Sequence, residues 1–150
     1  RVPVLVDDDV VVYDSTIINE YLDDEYAEPP LRPEDSGARA RVRQLEDFCD
    51  TSFIPPTMVI LSELHKPEDQ RDGDMLKRYQ TEVARVVARL DPFLEGNDFL
   101  VGEFSLADVA FAPRLMILHQ LGVELDPRLH NVPGWIARLR DRTSVKSLDL

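Results

Sequence analysis

The spacing of apolar residues along the chain changes from a strand period to a helical period at Asp14 and Ser15. Two short apolar runs, at residues 2–6 and 10–13, are separated by an acidic turn, which predicts an antiparallel β-hairpin. The residues that follow carry an apolar stripe with helical spacing, so we predict a helix from about Ser15 to Tyr26. The sequence therefore places a strand-turn-helix junction at Asp14-Ser15.

The chain beyond residue 34 has the apolar spacing of helices. Residues 29–34 are rich in proline and show no period, so they are predicted to form a linker after a first unit over 1–28. The helices predicted in 35–150 are a long one capped by Asp35 or Ser36 and interrupted at Pro55-Pro56, a strongly periodic one over 75–94, a buried one from Ser105 to Gly122, and two short ones over 133–142 and 144–148. The predicted organisation is α/β followed by all-α.

Ser105 and Asp108 form the strongest local folding signal in the chain. Ser105 stands at the N-cap position of the buried helix and Asp108 at its third residue, which is the spacing of a capping box with Asp in place of Glu. We interpret this pair as structural. Cys49 and Trp135 lie in helical stretches with apolar neighbours, so both are predicted to be core residues rather than parts of a reactive site.

Composition argues against several classes of function. The chain has 29 acidic and 17 basic residues and a net charge of −12, which repels phosphate backbones and anionic lipid, so no nucleic-acid or membrane partner is expected. No apolar run reaches the ~18 residues of a membrane-spanning helix. The single cysteine allows no internal disulfide, which is typical of a cytoplasmic protein. The three histidines lack the spacing of metal ligands, so no metal is expected.

The strand-turn-helix junction has the groups needed to bind a zwitterion. Ser15 is predicted to be the N-cap residue of the first helix. The unpaired N–H groups and the positive dipole end of a helix start favour a carboxylate or phosphate, and Asp14 beside them can hold an ammonium group. An α-amino acid carries both charges. The alternative interpretation is that Asp14 and Ser15 only cap the helix.

Three separated segments of the chain resemble the cytosolic glutathione transferase family. These segments are Val2-Pro3-Val4-Leu5-Val6 with Tyr13-Asp14-Ser15-Thr16-Ile17-Ile18, then Phe99 to Asp108, then Asn131-Val132-Pro133-Gly134-Trp135 with Arg142-Thr143-Ser144-Val145. Their order and spacing extend over nearly all 150 residues. The resemblance implies the C-terminal part of a thioredoxin-like domain over 1–28 and an all-helical domain over 35–150, with the family's first strand, first helix and second strand upstream of Arg1.

The resemblance also implies a glutathione site made of Val2, Pro3, Asp14 and Ser15. In the family, the residue before a cis-proline offers main-chain hydrogen bonds to the cysteinyl part of glutathione, so the Val2–Pro3 bond is expected to be cis. An acidic or amide residue followed by Ser binds the γ-glutamyl end, which matches Asp14 and Ser15. Glu or Gln is usual where Asp14 stands. No residue of this chain is assigned as the group that activates the thiol.

The activity that the resemblance implies is conjugation of glutathione to an electrophilic small molecule, or displacement of a group from that molecule. The electrophile is expected between the domains, against the helix around Phe48 to Met58 and near Phe111. Isomerase, dehalogenase and peroxidase chemistry stay open within the enzyme class. The alternative function is a non-catalytic interaction or regulatory module of the same fold. The resemblance also implies a homodimer, and the helices over 36–94 agree with it because they carry more apolar positions than one core needs.

Overall fold

The computed structural model describes residues 2–26 and 28–148. The described chain begins with an antiparallel hairpin of β1 (Val4–Asp7) and β2 (Val10–Tyr13). The α-helices that follow within these residues are α1 (Ser15–Glu25), α2 (Ser36–Phe48), α3 (Ile54–Leu64), α4 (Gly73–Ala88), α5 (Leu106–Met116), α6 (Val132–Asp141) and α7 (Thr143–Lys146). A π-helix at Cys49–Phe53 joins α2 to α3, and 3₁₀ turns at Glu68–Gln70 and Asp91–Leu94 flank α4. The predicted α/β followed by all-α architecture is confirmed.

Polar contacts from the second half of α1 fix it between the hairpin and the linker. The Tyr21 hydroxyl donates to Asp7 at 3.0 Å, and this bond raises the pKa of Tyr21 to about 12. Two residues later, Asp23 accepts from the Leu31 N–H at 2.6 Å and from Arg32 at 3.0 Å. The direction of α1 relative to the hairpin is therefore set by side chains as well as by chain connectivity.

The hydrophobic core lies in the helical part of the described chain. Its contiguous cluster of buried residues extends from Val42 to Val145. By contrast, the hairpin residues Val4, Val6 and Val11 are 52%, 66% and 62% exposed. A two-stranded hairpin is marginal by itself, so its contacts with α1 contribute much of its order here. Among the described residues, no helix combines the length and apolar character needed to cross a bilayer.

Pro55-Pro56 interrupts the long helix, as the sequence predicted. α2 ends at Phe48, the π-helix follows, and α3 begins at Ile54 with both prolines in its first turn. Neither proline has an N–H to donate to the preceding turn, so the regular α-helical hydrogen-bond pattern is broken at this point. Cys49 and Phe53, at the two ends of the π-helix, are both fully buried, so Cys49 is a core residue as predicted.

The buried helix is shorter than the sequence predicted. α5 ends at Met116, whereas the expected end was Gly122. Pro113 lies inside this helix and has no N–H to donate to the preceding turn, which weakens the helix just before its end. Residues 117–122 form tight turns instead. Gly122 closes them with a φ of +68°, where most other residues would be strained.

The capping box of α5 is formed, and its acid also organises the core. Asp108 accepts from the Leu100 N–H at 3.1 Å and from the Trp135 indole N–H at 2.8 Å. It also accepts from the N–H and the hydroxyl of Ser105, at 3.0 and 3.1 Å. Asp108 and Trp135 are both fully buried. One carboxylate therefore joins the start of α5 to α6 and to the turn before α5.

Asp91 holds the N-terminus of α6, and its loss is expected to destabilise the protein. Its Oδ1 accepts from the main-chain N–H groups of Asn131 and Val132, both at 2.9 Å. Asp91→Ala removes both bonds, so we expect the free energy of unfolding in urea to fall by about 1–2 kcal/mol, the size of a lost helix cap. Asp69→Ala, at an exposed carboxylate, is the control. Equal effects of the two substitutions would contradict this role of Asp91.

Candidate functional site

The register of the hairpin brings the residues predicted for the site to one end of it. Val4 pairs with Tyr13, so Val2 and Pro3 extend past the end of β2, where Asp14 follows. The Val2–Pro3 peptide bond is cis, as the sequence predicted. Val2 is 93% exposed, so its main chain is accessible to a ligand. Strand pairing therefore gathers two segments that are about ten residues apart in sequence.

Asp14, rather than Ser15, caps α1. The Asp14 side chain accepts from the Thr16 N–H at 3.2 Å, and Ser15 is the first helical residue, so the prediction of Ser15 as N-cap was wrong by one position. The cause is the backbone of Asp14, whose φ of 80° and ψ of 126° turn the chain sharply out of β2 before the helix begins. The Ser15 side chain is consequently exposed at the first position of the helix.

The first turn of α1 leaves hydrogen-bond donors available. The Ile18 N–H donates to the Asp14 carbonyl at 2.9 Å, and the Thr16 N–H donates to the Asp14 side chain. Within the part of the chain that is described, the N–H groups of Ser15 and Ile17 have no acceptor. Free N–H groups at a helix start, together with the helix dipole, attract a carboxylate or phosphate. The exposed hydroxyl of Ser15 adds a further donor.

The backbone of Asp14 is strained. A positive φ is uncommon for a residue with a side chain, and such a conformation costs on the order of 1–3 kcal/mol. Glycine would remove most of that cost, yet the sequence has Asp at this position. The Asp14 carboxylate is half-buried beside the donors of the first turn. Strain retained at an accessible polar residue points to a functional role for Asp14.

Asp50 of the π-helix is a candidate site residue that the sequence did not indicate. Its carboxylate accepts from the Thr16 hydroxyl at 3.4 Å, so it lies against the first turn of α1. Partial burial, followed by the charges of Asp14 and Asp47, raises the pKa of Asp50, although the Thr16 bond opposes this shift. The nearest sequence signal was the predicted interruption at Pro55-Pro56. The structure has a π-helix just before these prolines, and π-helices often lie at functional sites.

The structure does not place Phe111 where an electrophile could bind. Phe111 is fully buried and packs against Phe53 and Trp135, with ring centroids 5.3 and 6.2 Å apart. This position belongs to the core, because its helix is apolar on nearly every side. Met58 is 49% exposed and lies beside Arg114, whose Nη2 is 3.1 Å from the Met58 sulfur. Within the region where the electrophile was expected, Met58 is therefore accessible to a ligand.

Two family models match the chain. The model described as "Glutathione S-transferase, C-terminal domain" matches residues 53–142, and the model described as "Glutathione S-transferase, N-terminal domain" matches residues 1–30. Together they cover the hairpin with α1 and the helical part from the end of the π-helix to the end of α6. The order of the two matches agrees with the order of the two parts of the fold.

Proteins with two different names are similar in sequence to this chain. The chain is 35% identical over 127 residues to the stringent starvation protein A homolog of Coxiella burnetii, a match that covers 84% of this chain and 57% of that protein. It is 28% identical over 151 residues to glutathione S-transferase GstB of Escherichia coli, covering 98% of this chain and 72% of that protein. The chain spans between 54% and 64% of the length of three stringent starvation protein A homologs that it matches.

The crystal structure of a similar protein superimposes closely on this chain. It is the theta class glutathione S-transferase of the citrus canker pathogen Xanthomonas axonopodis pv. citri, solved with glutathione bound. The TM-score is 0.85 at 27% identity, and the match covers 96% of this chain and 76% of that chain. The similarity therefore includes the junction between β2 and α1.

Proposed function

This chain belongs to the glutathione S-transferase family, and on that premise we propose that it binds glutathione at the start of α1 and conjugates it to an electrophilic small molecule. The hairpin with α1 is the thioredoxin-like part of the family fold, and α2–α7 form its helical domain. The observation that carries the proposal is the junction at Asp14 and Ser15, where a strained acid, a hydroxyl group and free N–H groups adjoin. The glutathione bound to the Xanthomonas relative supports the choice of ligand.

The γ-glutamyl and cysteinyl parts of glutathione each have a complementary group in this proposal. The α-carboxylate of the γ-glutamyl residue accepts from the hydroxyl of Ser15 and from the first-turn N–H groups of α1, where the helix dipole adds to the attraction. The ammonium group of the same residue lies against the Asp14 carboxylate. The main chain of Val2, next to Pro3, bonds the cysteinyl part in the manner of an added β-strand.

The reaction that we propose is nucleophilic attack by the glutathione thiolate. A carbon–sulfur bond forms on the electrophile, the bond to its leaving group breaks, and the thiol proton passes to solvent. Binding energy at the γ-glutamyl end serves to hold the sulfur in position for this attack. Cys49 is not a candidate nucleophile, because it is fully buried, its thiol donates to the Ala110 carbonyl at 3.3 Å, and burial raises the pKa of that thiol.

A regulatory or interaction module is the second candidate function. It is favoured by the relatives named stringent starvation protein A homologs, one of which is more similar in sequence than GstB. The substitution of Asp for the family's usual Glu or Gln also favours it, because Asp14 reaches less far towards an ammonium group. Transfer of glutathione to an aryl halide, followed by the release of halide, separates the two functions. Binding of glutathione without any turnover would favour the module.

The glutathione site can be tested by thermal unfolding. We expect millimolar glutathione to raise the melting temperature of the intact protein, since a ligand at 100 times its Kd stabilises by about 2.7 kcal/mol. Asp14→Gly is expected to remove most of this shift. The unliganded variant should be at least as stable as the wild type, because glycine accepts the positive φ.

The control for this experiment is Asp9→Ala, which removes an exposed carboxylate from the turn at the far end of the hairpin. It should leave the glutathione-dependent shift intact. Glutathione that fails to stabilise the wild-type protein at millimolar concentration would refute the proposed site. An unchanged shift in Asp14→Gly would refute the role of Asp14 within it.

We also propose that the protein is a homodimer, as the family resemblance suggests. Phe48 of α2 and Phe93 of the 3₁₀ turn after α4 are partly exposed beside Arg41 and Arg89, around a small groove of about 170 Å³. Arg89 lies over the ring of Phe48 at 4.6 Å, which is a contact suited to an interface. Sedimentation of the intact protein as a monomer at micromolar concentration would contradict this proposal.

A further inference from the structure

Arg114 of α5 carries a positive charge that no acidic side chain neutralises in residues 2–26 and 28–148. Its one side-chain hydrogen bond within these residues is donated by Nη2 to the Met58 sulfur, at 3.1 Å. A thioether is a weak acceptor, whereas a guanidinium group has five N–H donors. Arg114 is half-buried, and the chain has a net charge of −12, so acidic residues to pair with it are not scarce. The contact with Met58 leaves its other donors to solvent or to a bound anion.

The π-helix lies between Arg114 and the start of α1. The thiol of Cys49 donates to the Ala110 carbonyl at 3.3 Å, one turn before Arg114 on α5. Burial, followed by neighbouring acids, raises the pKa of the Cys49 thiol, and the charge of Arg114 opposes this shift, which agrees with its place beside the π-helix. The next residue, Asp50, accepts from the Thr16 hydroxyl at 3.4 Å. Arg114 and the first turn of α1 therefore flank the same π-helix.

The helix face that leads from Asp50 to Arg114 is apolar. Asp50, Ile54 and Met58 are spaced four residues apart, so they follow one face from the π-helix into α3. Ile54 is half-buried and Met58 is 49% exposed, so the described residues cover this face only in part. Eight residues of helix extend about 12 Å. The face therefore has an end that touches α1 and another end, about 12 Å away, that touches Arg114.

These dimensions suit an electrophile joined to glutathione. The γ-glutamyl and cysteinyl residues together extend about 7 Å, at ~3.5 Å per residue. The remaining distance along the helix face, about 5 Å, is close to the width of one aromatic ring. A ring bonded to the sulfur would lie against apolar side chains, and a substituent on its far side would reach the guanidinium group. The substituent that a guanidinium group binds best is a carboxylate, because the two planar groups form paired hydrogen bonds.

Resting on the glutathione transfer proposed above, we propose that Arg114 selects electrophiles that carry a carboxylate, while Ile54 and Met58 pack against the apolar body of the substrate. The carboxylate is on the side of the molecule away from the reacting carbon. In the reaction a carbon–sulfur bond forms, the leaving group departs with its bonding electrons, and the thiol proton passes to solvent. Arg114 touches the substrate's carboxylate but takes no part in this bond exchange, so it determines specificity.

The test compares two aryl chlorides, 4-chloro-3,5-dinitrobenzoate and 4-chloro-3,5-dinitrobenzamide, as substrates of the intact protein with glutathione. Both release chloride from a carbon activated by the same nitro groups, but only the benzoate is charged at neutral pH. For each compound kcat/KM is divided by the rate constant of the uncatalysed reaction, which removes the difference in intrinsic reactivity. We expect the wild type to favour the benzoate by about tenfold or more, the effect of a charge-assisted hydrogen bond.

Arg114→Gln is expected to lower kcat/KM for the benzoate about tenfold and to leave the amide within about twofold of the wild type. The loss should appear in KM rather than in kcat, because the carboxylate is bound equally in the ground state and the transition state. Arg114→Lys, which keeps the charge but not the planar fork, should fall between wild type and Arg114→Gln. Arg85→Gln, at an exposed arginine of α4, is the matched control and should leave both substrates within about twofold.

Two results would overturn this inference while leaving the transferase function in place. One is wild-type turnover of the amide that equals or exceeds turnover of the benzoate on the corrected scale. The other is an equal loss for both substrates in Arg114→Gln, which would assign Arg114 to packing or to the charge of the transition state. Absence of turnover of either compound by the wild type would instead refute the proposed function, and this inference with it. If Arg114→Gln does not fold, the wild-type preference and Arg114→Lys decide.

Discussion

Asp108→Asn is expected to lower the free energy of unfolding by about 3–5 kcal/mol, the loss associated with breaking a buried polar network. The carboxylate of Asp108 accepts from four donors, two at each oxygen. The amide of Asn has only one oxygen, so its NH₂ group would face either the Ser105 donors or those of Leu100 and Trp135. Donors that are buried without an acceptor each cost about 1–3 kcal/mol.

Urea unfolding followed by the fluorescence of Trp135, the only tryptophan, measures this effect directly. Asp74→Asn is the control, because Asp74 is exposed in the first turn of α4. It should change stability by less than about 0.5 kcal/mol. Ser105→Ala, which removes one of the four donors, should fall between the two. A loss below about 1 kcal/mol for Asp108→Asn would show that the network contributes little.

Glu46→Gln is expected to stabilise the protein, and the gain should grow with pH. Burial raises the pKa of Glu46 from 4.5 to about 7 in the folded protein, so the folded state binds more protons than the unfolded state between these values. Stability therefore falls as pH rises through that window and is level above it. Gln cannot ionise, so the variant avoids a loss of about 3 kcal/mol at about pH 8, which follows from the difference between the two pKa values at about 1.4 kcal/mol per pKa unit.

Thermal unfolding of wild type and variant at several pH values checks this expectation. Below about pH 4.5 the two proteins should be nearly equally stable, and the difference should reach its maximum near pH 7. Glu82→Gln, at an exposed position of α4, should give no pH-dependent difference. A variant that is less stable than the wild type at every pH would show that Glu46 has an unrecognised hydrogen-bond partner.

The two buried acids illustrate opposite uses of a carboxylate. Asp108 has every lone pair engaged, which suits a residue that fixes the positions of α5 and α6. Glu46 has none engaged among the described residues, and its nearest like charges are those of Glu20 and Asp50. An unsatisfied buried carboxyl group costs stability, so its presence favours function over folding as the reason for this arrangement.

Several elements could be predicted because their cause is local. The apolar runs before and after the acidic turn specify the hairpin, and Asp35 caps α2 through a bond to the Ala38 N–H at 2.7 Å, three residues away. The capping box at Ser105 and Asp108 likewise lies within one turn. The expected end of α5 was wrong because Pro113 and the turns after Met116 outweigh the apolar pattern that continues beyond them.

The sequence by itself determined the order of elements, the core character of Cys49 and Trp135, and the position of Asp14 and Ser15 at a strand-to-helix junction. Only the tertiary structure decided that Asp50 meets Thr16 across 34 residues of chain, and that Phe111 is closed off from any ligand. The physical reason is the range of the forces involved. Capping and turn formation depend on neighbours within a few residues, whereas burial and the meeting of charges depend on how whole helices pack.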